Sequence, residues 1–225
     1  MYKVTGTAIS GFFRLVFALM LLIFLPHWSI NYWQGWAYLF SFSIPVLFIT
    51  LYFLKTDKGL IERRTKAGPS AEKEKIQVVI QSIASVAVIG LVIVSVLDHK
   101  LQWSVVPDYI CILSNVFTAG SFYLIYKVFK ENSFTSAIII VEEGQKLIST
   151  GLYSFVRHPM YLGAIILIVF TPLSLGSVFG LFFSFVLIIV IAFRAIHEEK
   201  YLLINLPGYK VYYEKVKYRL IPYFW

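Results

Sequence analysis

The chain alternates between long apolar runs and shorter polar segments. Six runs qualify as candidate membrane spans, at about residues 11–25, 33–54, 76–97, 109–128, 159–173 and 178–193. Several of them approach the roughly 20 apolar residues that a helix needs to cross a bilayer core of about 30 Å. The pattern therefore predicts an all-α, polytopic membrane protein with about six transmembrane helices.

The first apolar run is short, and a cleaved signal peptide is the alternative interpretation of its length. It holds Arg14 near its start and is followed by Pro26. The residues after it are aromatic instead of forming a small-residue cleavage site, and tryptophan and tyrosine are enriched where helices leave a membrane. We therefore expect this run to remain in the protein as its first span.

The polar segments divide the chain into two predicted parts. Residues 1–130 would hold four helices and a cytosolic loop at 55–75. Residues 131–225 would hold a polar loop, a tight helical hairpin whose turn lies near 172–176, and a tail. The turn is so short that the two helices of the hairpin are expected to pack side by side.

Composition and charge support a membrane location. The chain is 59% hydrophobic and only 14% charged, which is a balance for lipid contact and not for a soluble domain. Of the 20 lysines and arginines, only Lys100 falls in an outer segment if the N-terminus is cytosolic, so the positive-inside rule predicts that both termini are cytosolic. The net charge of +8 would then face anionic headgroups of the lipid bilayer, and nucleic acid is not an expected partner. Cys111 is the single cysteine, and no metal-binding motif is present.

Two polar clusters stand at the open ends of the predicted hairpin. The first is GLYSFVRHPMY at residues 151–161, and the second runs from Arg194 to Lys200. Proline is favoured at the first position of a helix, so His158 is expected to cap a helix that begins at Pro159. Because the hairpin brings its open ends together, both clusters should meet on the cytosolic face with the preceding loop and the tail.

Each cluster also has a purely structural interpretation. Arg194 and Glu198 are four residues apart and could form a salt bridge within one helix. However, the cation precedes the anion, which is the less favourable order on a helix, and carboxylates interact unfavourably with the helix dipole at the C-terminal end. We therefore favour a functional role. His158 could contact lipid headgroups, or it could act as a general base at neutral pH.

The motifs of the C-terminal block, taken in order, resemble the isoprenylcysteine carboxyl methyltransferase family and its phospholipid methyltransferase relatives. The matching pieces are Gln145-Lys-Leu-Ile148, Gly151-x-Tyr153, Arg157-His-Pro-x-Tyr161, Arg194-x-x-x-Glu198-Glu199, Pro207-Gly208-Tyr209 and Leu220-Ile-Pro222. Relatives commonly carry histidine in the first piece, where this chain has Gln145-Lys146. The first 130 residues match only as membrane spans.

The resemblance implies an S-adenosyl-L-methionine-dependent membrane methyltransferase with a cofactor pocket on the cytosolic side, formed by the hairpin, the loop before it and the tail. It implies that Arg194 meets the substrate. The donor contacts that it implies are Gln145, Lys146, Leu147, Ile148, Tyr153, His158, Pro159, Met160, Tyr161 and Glu198.

The chemistry of these residue types agrees with that role. A carboxylate such as Glu198 can pair with the ammonium or the ribose hydroxyls of the donor, the helix end at His158 can meet its carboxylate, and tyrosines can face its cation. A carboxylate acceptor would need no base, and Arg194 would align it. An amine or thiol acceptor would need a proton acceptor, for which His158 and Glu199 are the candidates.

The acceptor and two other functional classes stay open at this point. We expect a lipophilic or small apolar acceptor, first an isoprenylcysteine carboxylate, while a phospholipid amine, an isoprenoid and a small thiol are also compatible. One alternative is an NADPH-dependent membrane reductase of the sterol reductase type. The other is a non-enzymatic membrane protein that keeps the block for packing.

Overall fold

The computed structural model describes residues 2–72, 74–142 and 144–225, with the side chains of Tyr2 and Lys3 left aside. Eight α-helices and two short 3₁₀ turns make up the regular structure of this part, and it contains no strand. The helices are α1 (Tyr2–His27), α2 (Trp33–Thr56), α3 (Lys58–Thr65), α4 (Lys75–Leu101), α5 (Asp108–Glu131), α6 (Pro159–Ser174), α7 (Leu181–Asn205) and α8 (Tyr209–Lys215).

Five helices in the described ranges are long and apolar enough to cross a membrane, namely α1, α2, α4, α5 and α7. The all-α polytopic architecture expected from the hydrophobic pattern is therefore confirmed. The fifth apolar run forms α6, which has only 16 residues. At about 1.5 Å per residue it extends about 24 Å, which is less than the roughly 30 Å of a bilayer core.

One helix end differs from the expected one, namely the end of α7. Pro172 lies inside the last turn of α6, and the chain reverses after it, where Gly176 adopts a φ of 78°. The last apolar run was expected to end near residue 193, but α7 continues to Asn205. A helix is ended by a change in backbone hydrogen bonding and not by polarity, so the polar residues after Phe193 simply extend it.

Helix α6 packs against α5 more extensively than against its hairpin partner α7. Gly163 makes this approach possible, since a Cβ there would lie 2.9 Å from Cγ1 of Ile125 and 3.4 Å from the carbonyl oxygen of Ser121. Small residues at such crossings let two helix backbones come close in a membrane protein. The expected α6–α7 contact is also present.

Hydrogen bonds fix one end of the helix bundle, and helix packing fixes the other. At one end, buried Asp98 at the end of α4 accepts hydrogen bonds from Ser104 and Ser177 and from the backbone N–H groups of Val178 and Phe179. These bonds hold the α6–α7 turn against α4. At the other end, α3 packs against α1 and α2, and there the starts of α4 and α6 meet the ends of α5 and α7. The candidate site lies at this second end.

Candidate active site

A cavity of about 100 Å³, partly open to solvent, lies at the α3 end of the bundle. Every residue that the sequence assigned to donor binding lines it: Gln145, Lys146, Leu147, Ile148, Tyr153, His158, Pro159, Met160, Tyr161 and Glu198. These ten residues come from the loop before α6, the first turn of α6 and α7, so the fold brings separate segments to one place.

Further walls of the cavity come from residues that the sequence did not single out. The segment after α5 contributes Asn132, Phe134, Thr135, Ser136 and residues 138–140. The extension of α7 and helix α8 contribute Leu202, Leu206, Tyr209 and Tyr212. The α8 wall exists because α7 runs on to Asn205 and is followed by a turn at Pro207-Gly208, so that α8 folds back beside the cavity.

Glu198 is the acidic side chain of the cavity wall, and Tyr161 connects it to Arg194. The Tyr161 hydroxyl donates a hydrogen bond to Glu198 Oε2 at 2.5 Å. The same hydroxyl oxygen accepts one from Arg194 Nε at 3.1 Å. Arg194 and Glu198 thus share a helix face, as their spacing predicted, but a tyrosine bridges them instead of a direct salt bridge.

Arg194 lies behind Tyr161 and is only 9% exposed. Its Nη2 donates to Glu72 Oε1 at 2.7 Å and to the carbonyl oxygen of Ala137 at 3.0 Å. Its Nη1 donates to Gln77 Oε1 at 3.3 Å. The guanidinium is therefore held by the segment between α3 and α4, by the start of α4, by the cavity loop and by Tyr161, and Arg194 is not among the residues that line the cavity.

Glu199 is buried and receives two arginines. Its Oε1 accepts from Arg157 Nε at 2.6 Å, and its Oε2 accepts from Arg219 Nε at 2.7 Å. Nε2 of His158 lies 3.3 Å from Oε1 of Glu199, but it is out of line for a hydrogen bond. The carboxylate joins α7, the loop before α6 and the tail, so its first task is structural.

The tail completes this arrangement through the backbone. The N–H groups of Arg157 and His158 donate to the carbonyl oxygens of Tyr218 and Arg219, both at 2.9 Å. His158 is buried and stacks on Tyr161, with the ring centroids 5.3 Å apart. Helix α6 begins at Pro159 as predicted, although the His158 side chain makes no capping hydrogen bond. The tail thus fixes His158 in the cavity wall.

We expect Glu199→Gln to lower the stability of the protein strongly. Neutralising this carboxylate leaves the buried Arg157 and the half-buried Arg219 without a counter-charge, which costs about 3–5 kcal/mol for a buried pair. The thermal unfolding midpoint in detergent measures this loss, and Glu214→Gln on the exposed face of α8 is the matched control. An unchanged midpoint together with lost activity would instead assign Glu199 a chemical role.

Three tyrosines near the cavity remain neutral phenols. Burial raises the pKa values of Tyr153, Tyr209 and Tyr212 above the ordinary tyrosine value. Tyr153 accepts a hydrogen bond from Asn132 Nδ2 at 3.1 Å, and Tyr212 donates to the backbone carbonyl of Tyr153 at 2.8 Å. These rings give the cavity an aromatic wall that suits a cation or a flat base.

Three buried polar atoms of the cavity residues have no hydrogen-bond partner within the described part of the chain. They are Thr135 Oγ1, Tyr209 Oη and His158 Nε2, the last of which has only the Glu199 carboxylate oxygen 3.3 Å away and out of line. Buried polar groups are nearly always satisfied, so such atoms around one cavity are a sign of a site that binds a polar ligand. A donor molecule with hydroxyls, an adenine and an ammonium group fits this set together with Glu198.

Helix α3 supports the cavity loop, and sequence reasoning missed this. Arg64 Nη1 donates to the carbonyl oxygen of Ser136 at 2.8 Å and lies 3.6 Å from Met160 Sδ. Arg63 donates to the carbonyl oxygen of Ser133. In the sequence these arginines belong to a charged segment that is typical of a solvated loop, and no local signal indicates partners about 70 residues away.

The comparison with protein families agrees with this location. Residues 110–204 match the model of the isoprenylcysteine carboxyl methyltransferase (ICMT) family. The matched region holds nearly all of α5, the cavity loop, α6 and almost all of α7, and it includes every residue assigned above to donor binding. A comparison with curated proteins found no match.

Proposed function

We propose that this membrane methyltransferase uses S-adenosyl-L-methionine. The premise is that the chain belongs, through residues 110–204, to the isoprenylcysteine carboxyl methyltransferase family. We further propose that it methylates the carboxylate of a lipophilic acceptor, first of all an isoprenylcysteine. The observation that carries the proposal is the cavity itself, in which Glu198, buried tyrosines and three unpartnered polar atoms surround one space.

In this proposal the cavity residues bind and orient the donor. Glu198 is placed to pair with the ammonium group or with ribose hydroxyls, while Tyr209 and Thr135 offer hydroxyl groups. The aromatic wall made by Tyr153 and Tyr212 suits the adenine or the sulfonium. When bound, the donor supplies a methyl group on a positively charged sulfur.

The reaction balances without a proton. The bond between the methyl carbon and the sulfur of the donor would break, a bond to a carboxylate oxygen of the acceptor would form, and the positive charge of the sulfonium and the negative charge of the carboxylate would cancel. Catalysis then depends on orientation and on exclusion of water. A general base has no task here, which agrees with Glu199 being engaged by Arg157 and Arg219.

Arg194 is the residue that we assign to the acceptor. Its guanidinium is hydrogen-bonded to Tyr161 of the cavity wall, and a guanidinium can hold a carboxylate in a two-point contact. The acceptor would reach it laterally from the lipid, between helices of the first 130 residues and α7. The cytosol would supply the donor from the open side of the cavity.

Calorimetric titration of the detergent-purified protein tests the donor assignment. We expect S-adenosylhomocysteine to bind with micromolar affinity and NADPH, titrated in parallel, to give no heat. Binding of NADPH alone would move the protein to the membrane reductases. Silence from both ligands would favour a role without catalysis.

A further inference from the structure

Glu72 is the only carboxylate among the described residues that contacts Arg194 directly, and it lies outside the region matched by the family model. Its side chain is 1% exposed, and its Oε1 is 2.7 Å from Arg194 Nη2. Its Oε2 accepts a hydrogen bond from the backbone N–H of Ile139 at 3.3 Å, and Gln81 Nε2 lies 3.4 Å from Oε1. Glu72 therefore links the segment before α4 to both the arginine and the cavity loop.

The other groups hydrogen-bonded to this guanidinium, among the described residues, are neutral. They are the carbonyl oxygen of Ala137, Gln77 Oε1 and the Tyr161 hydroxyl. A buried arginine without a counter-charge is strongly disfavoured. Glu198 reaches Arg194 only through the Tyr161 hydroxyl, so when Glu72 leaves, the guanidinium has no directly bonded carboxylate unless another one takes its place.

The segment that carries Glu72 is suited to movement. Between α3 and α4 it is held by one 3₁₀ turn, Pro69–Ala71, and Lys66, Ala67 and Ser70 are exposed. Gly68 adopts a φ of 94° directly before the proline. A displaced Glu72 would thus enter water, where its charge is well hydrated.

We propose that Glu72 and the acceptor carboxylate exchange on Arg194 during each catalytic cycle. This inference rests on the proposed function, because it assumes that Arg194 binds the acceptor. Because one carboxylate replaces another, Arg194 keeps a counter-charge throughout, and the exchange has no free-energy cost from an unpaired buried charge. An amine acceptor could not replace Glu72 as the counter-charge of Arg194. Glu72 is therefore a residue that determines specificity for acid acceptors.

The same exchange separates product from substrate. Methylation turns the acceptor carboxylate into a neutral ester, which cannot neutralise Arg194. Glu72 then regains the guanidinium, and the ester leaves to the lipid. Glu72 would thus compete with the acceptor at the start of the cycle and favour product release at its end.

Acceptor kinetics of Glu72→Gln test the exchange. The amide keeps the shape of the side chain and its hydrogen bonding but is a weaker competitor for the guanidinium. With N-acetyl-S-farnesyl-L-cysteine as the acceptor probe, we expect the acceptor KM to fall about tenfold, while donor binding is unchanged. Glu74→Gln, an exposed acid two residues away, is the control that should leave KM unchanged. An acceptor KM in Glu72→Gln that stays constant or rises would overturn the proposal and leave Glu72 as a fixed support of Arg194.

Hydrogen–deuterium exchange provides a second measurement that does not depend on turnover. Because the amide of Ile139 donates to Glu72, the probe acid should speed exchange at Ile139 and in residues 66–72, whereas its methyl ester should not. If the probe is not methylated but still speeds hydrogen–deuterium exchange, the reaction assigned under the proposed function is wrong. The replacement of Glu72 by a carboxylate ligand on Arg194 then still stands. If the acid speeds hydrogen–deuterium exchange no more than the ester does, the proposed replacement of Glu72 by the acceptor carboxylate is wrong, whatever the turnover.

Discussion

Glu198→Gln is expected to weaken binding of S-adenosylhomocysteine about 100-fold, which corresponds to on the order of 2.7 kcal/mol. Glu198 is the acidic group of the cavity wall, and its side chain is 26% exposed, so it can be neutralised without burying an unpaired charge. The glutamine oxygen can still accept the hydrogen bond from Tyr161. The protein should therefore fold normally. Calorimetry measures the loss of ligand binding, and the thermal unfolding midpoint, measured in parallel, shows whether stability is lost as well.

Glu214→Gln serves as the control for removing one negative charge on the same end of the protein, and it should bind the ligand as the unchanged protein does. Retained affinity in Glu198→Gln would remove Glu198 from the donor site. The unpartnered hydroxyl of Tyr209 would then be the next candidate for the polar contact.

Arg194→Ala is expected to reduce methyl transfer at least about 100-fold while sparing donor binding, because Arg194 lies behind Tyr161 and not in the cavity wall. The substitution has a second effect that the structure makes explicit. It leaves the Glu72 carboxylate without its cation, which costs about 3–5 kcal/mol of stability if the carboxylate stays buried. Lost turnover in the single variant alone is therefore ambiguous.

The double variant Glu72→Ala with Arg194→Ala resolves this ambiguity. Removing both charges should restore most of the unfolding midpoint, since no buried ion is left unpaired. Turnover with an acid acceptor should nevertheless stay low, because the group that aligns the acceptor carboxylate is gone. Full turnover in the double variant would show that Arg194 acts only as a partner of Glu72.

The parts of the fold predicted from the sequence are those that depend on local pattern. Apolar runs of about 20 residues indicate membrane helices, and His158-Pro159 marks the start of α6, because a proline at the first helical position limits the choices of the backbone. The family resemblance supplied ten of the residues that line the cavity. Their function as a donor site stays a prediction.

The partners of the charged residues could not be predicted, because they come from distant parts of the chain. Glu72 pairs with a residue 122 positions later, and Glu199 with one 42 positions earlier. The polar segments of this chain carry many such charges, and their spacing along the chain does not indicate which of them meet. The same is true of the α8 wall, since a polar run after Phe193 is compatible with either a helix or a loop.

The shortness of α6 has a consequence for where the two substrates meet. A helix of 16 residues, about 24 Å long, is roughly 6 Å shorter than a typical hydrocarbon core. If its far end is level with one boundary of that core, its N-terminal end and the cavity beside it are recessed below the other, unless the bilayer thins around the protein. A water-soluble donor would then descend into the plane of the membrane, and a lipid-anchored acceptor would not have to rise out of it.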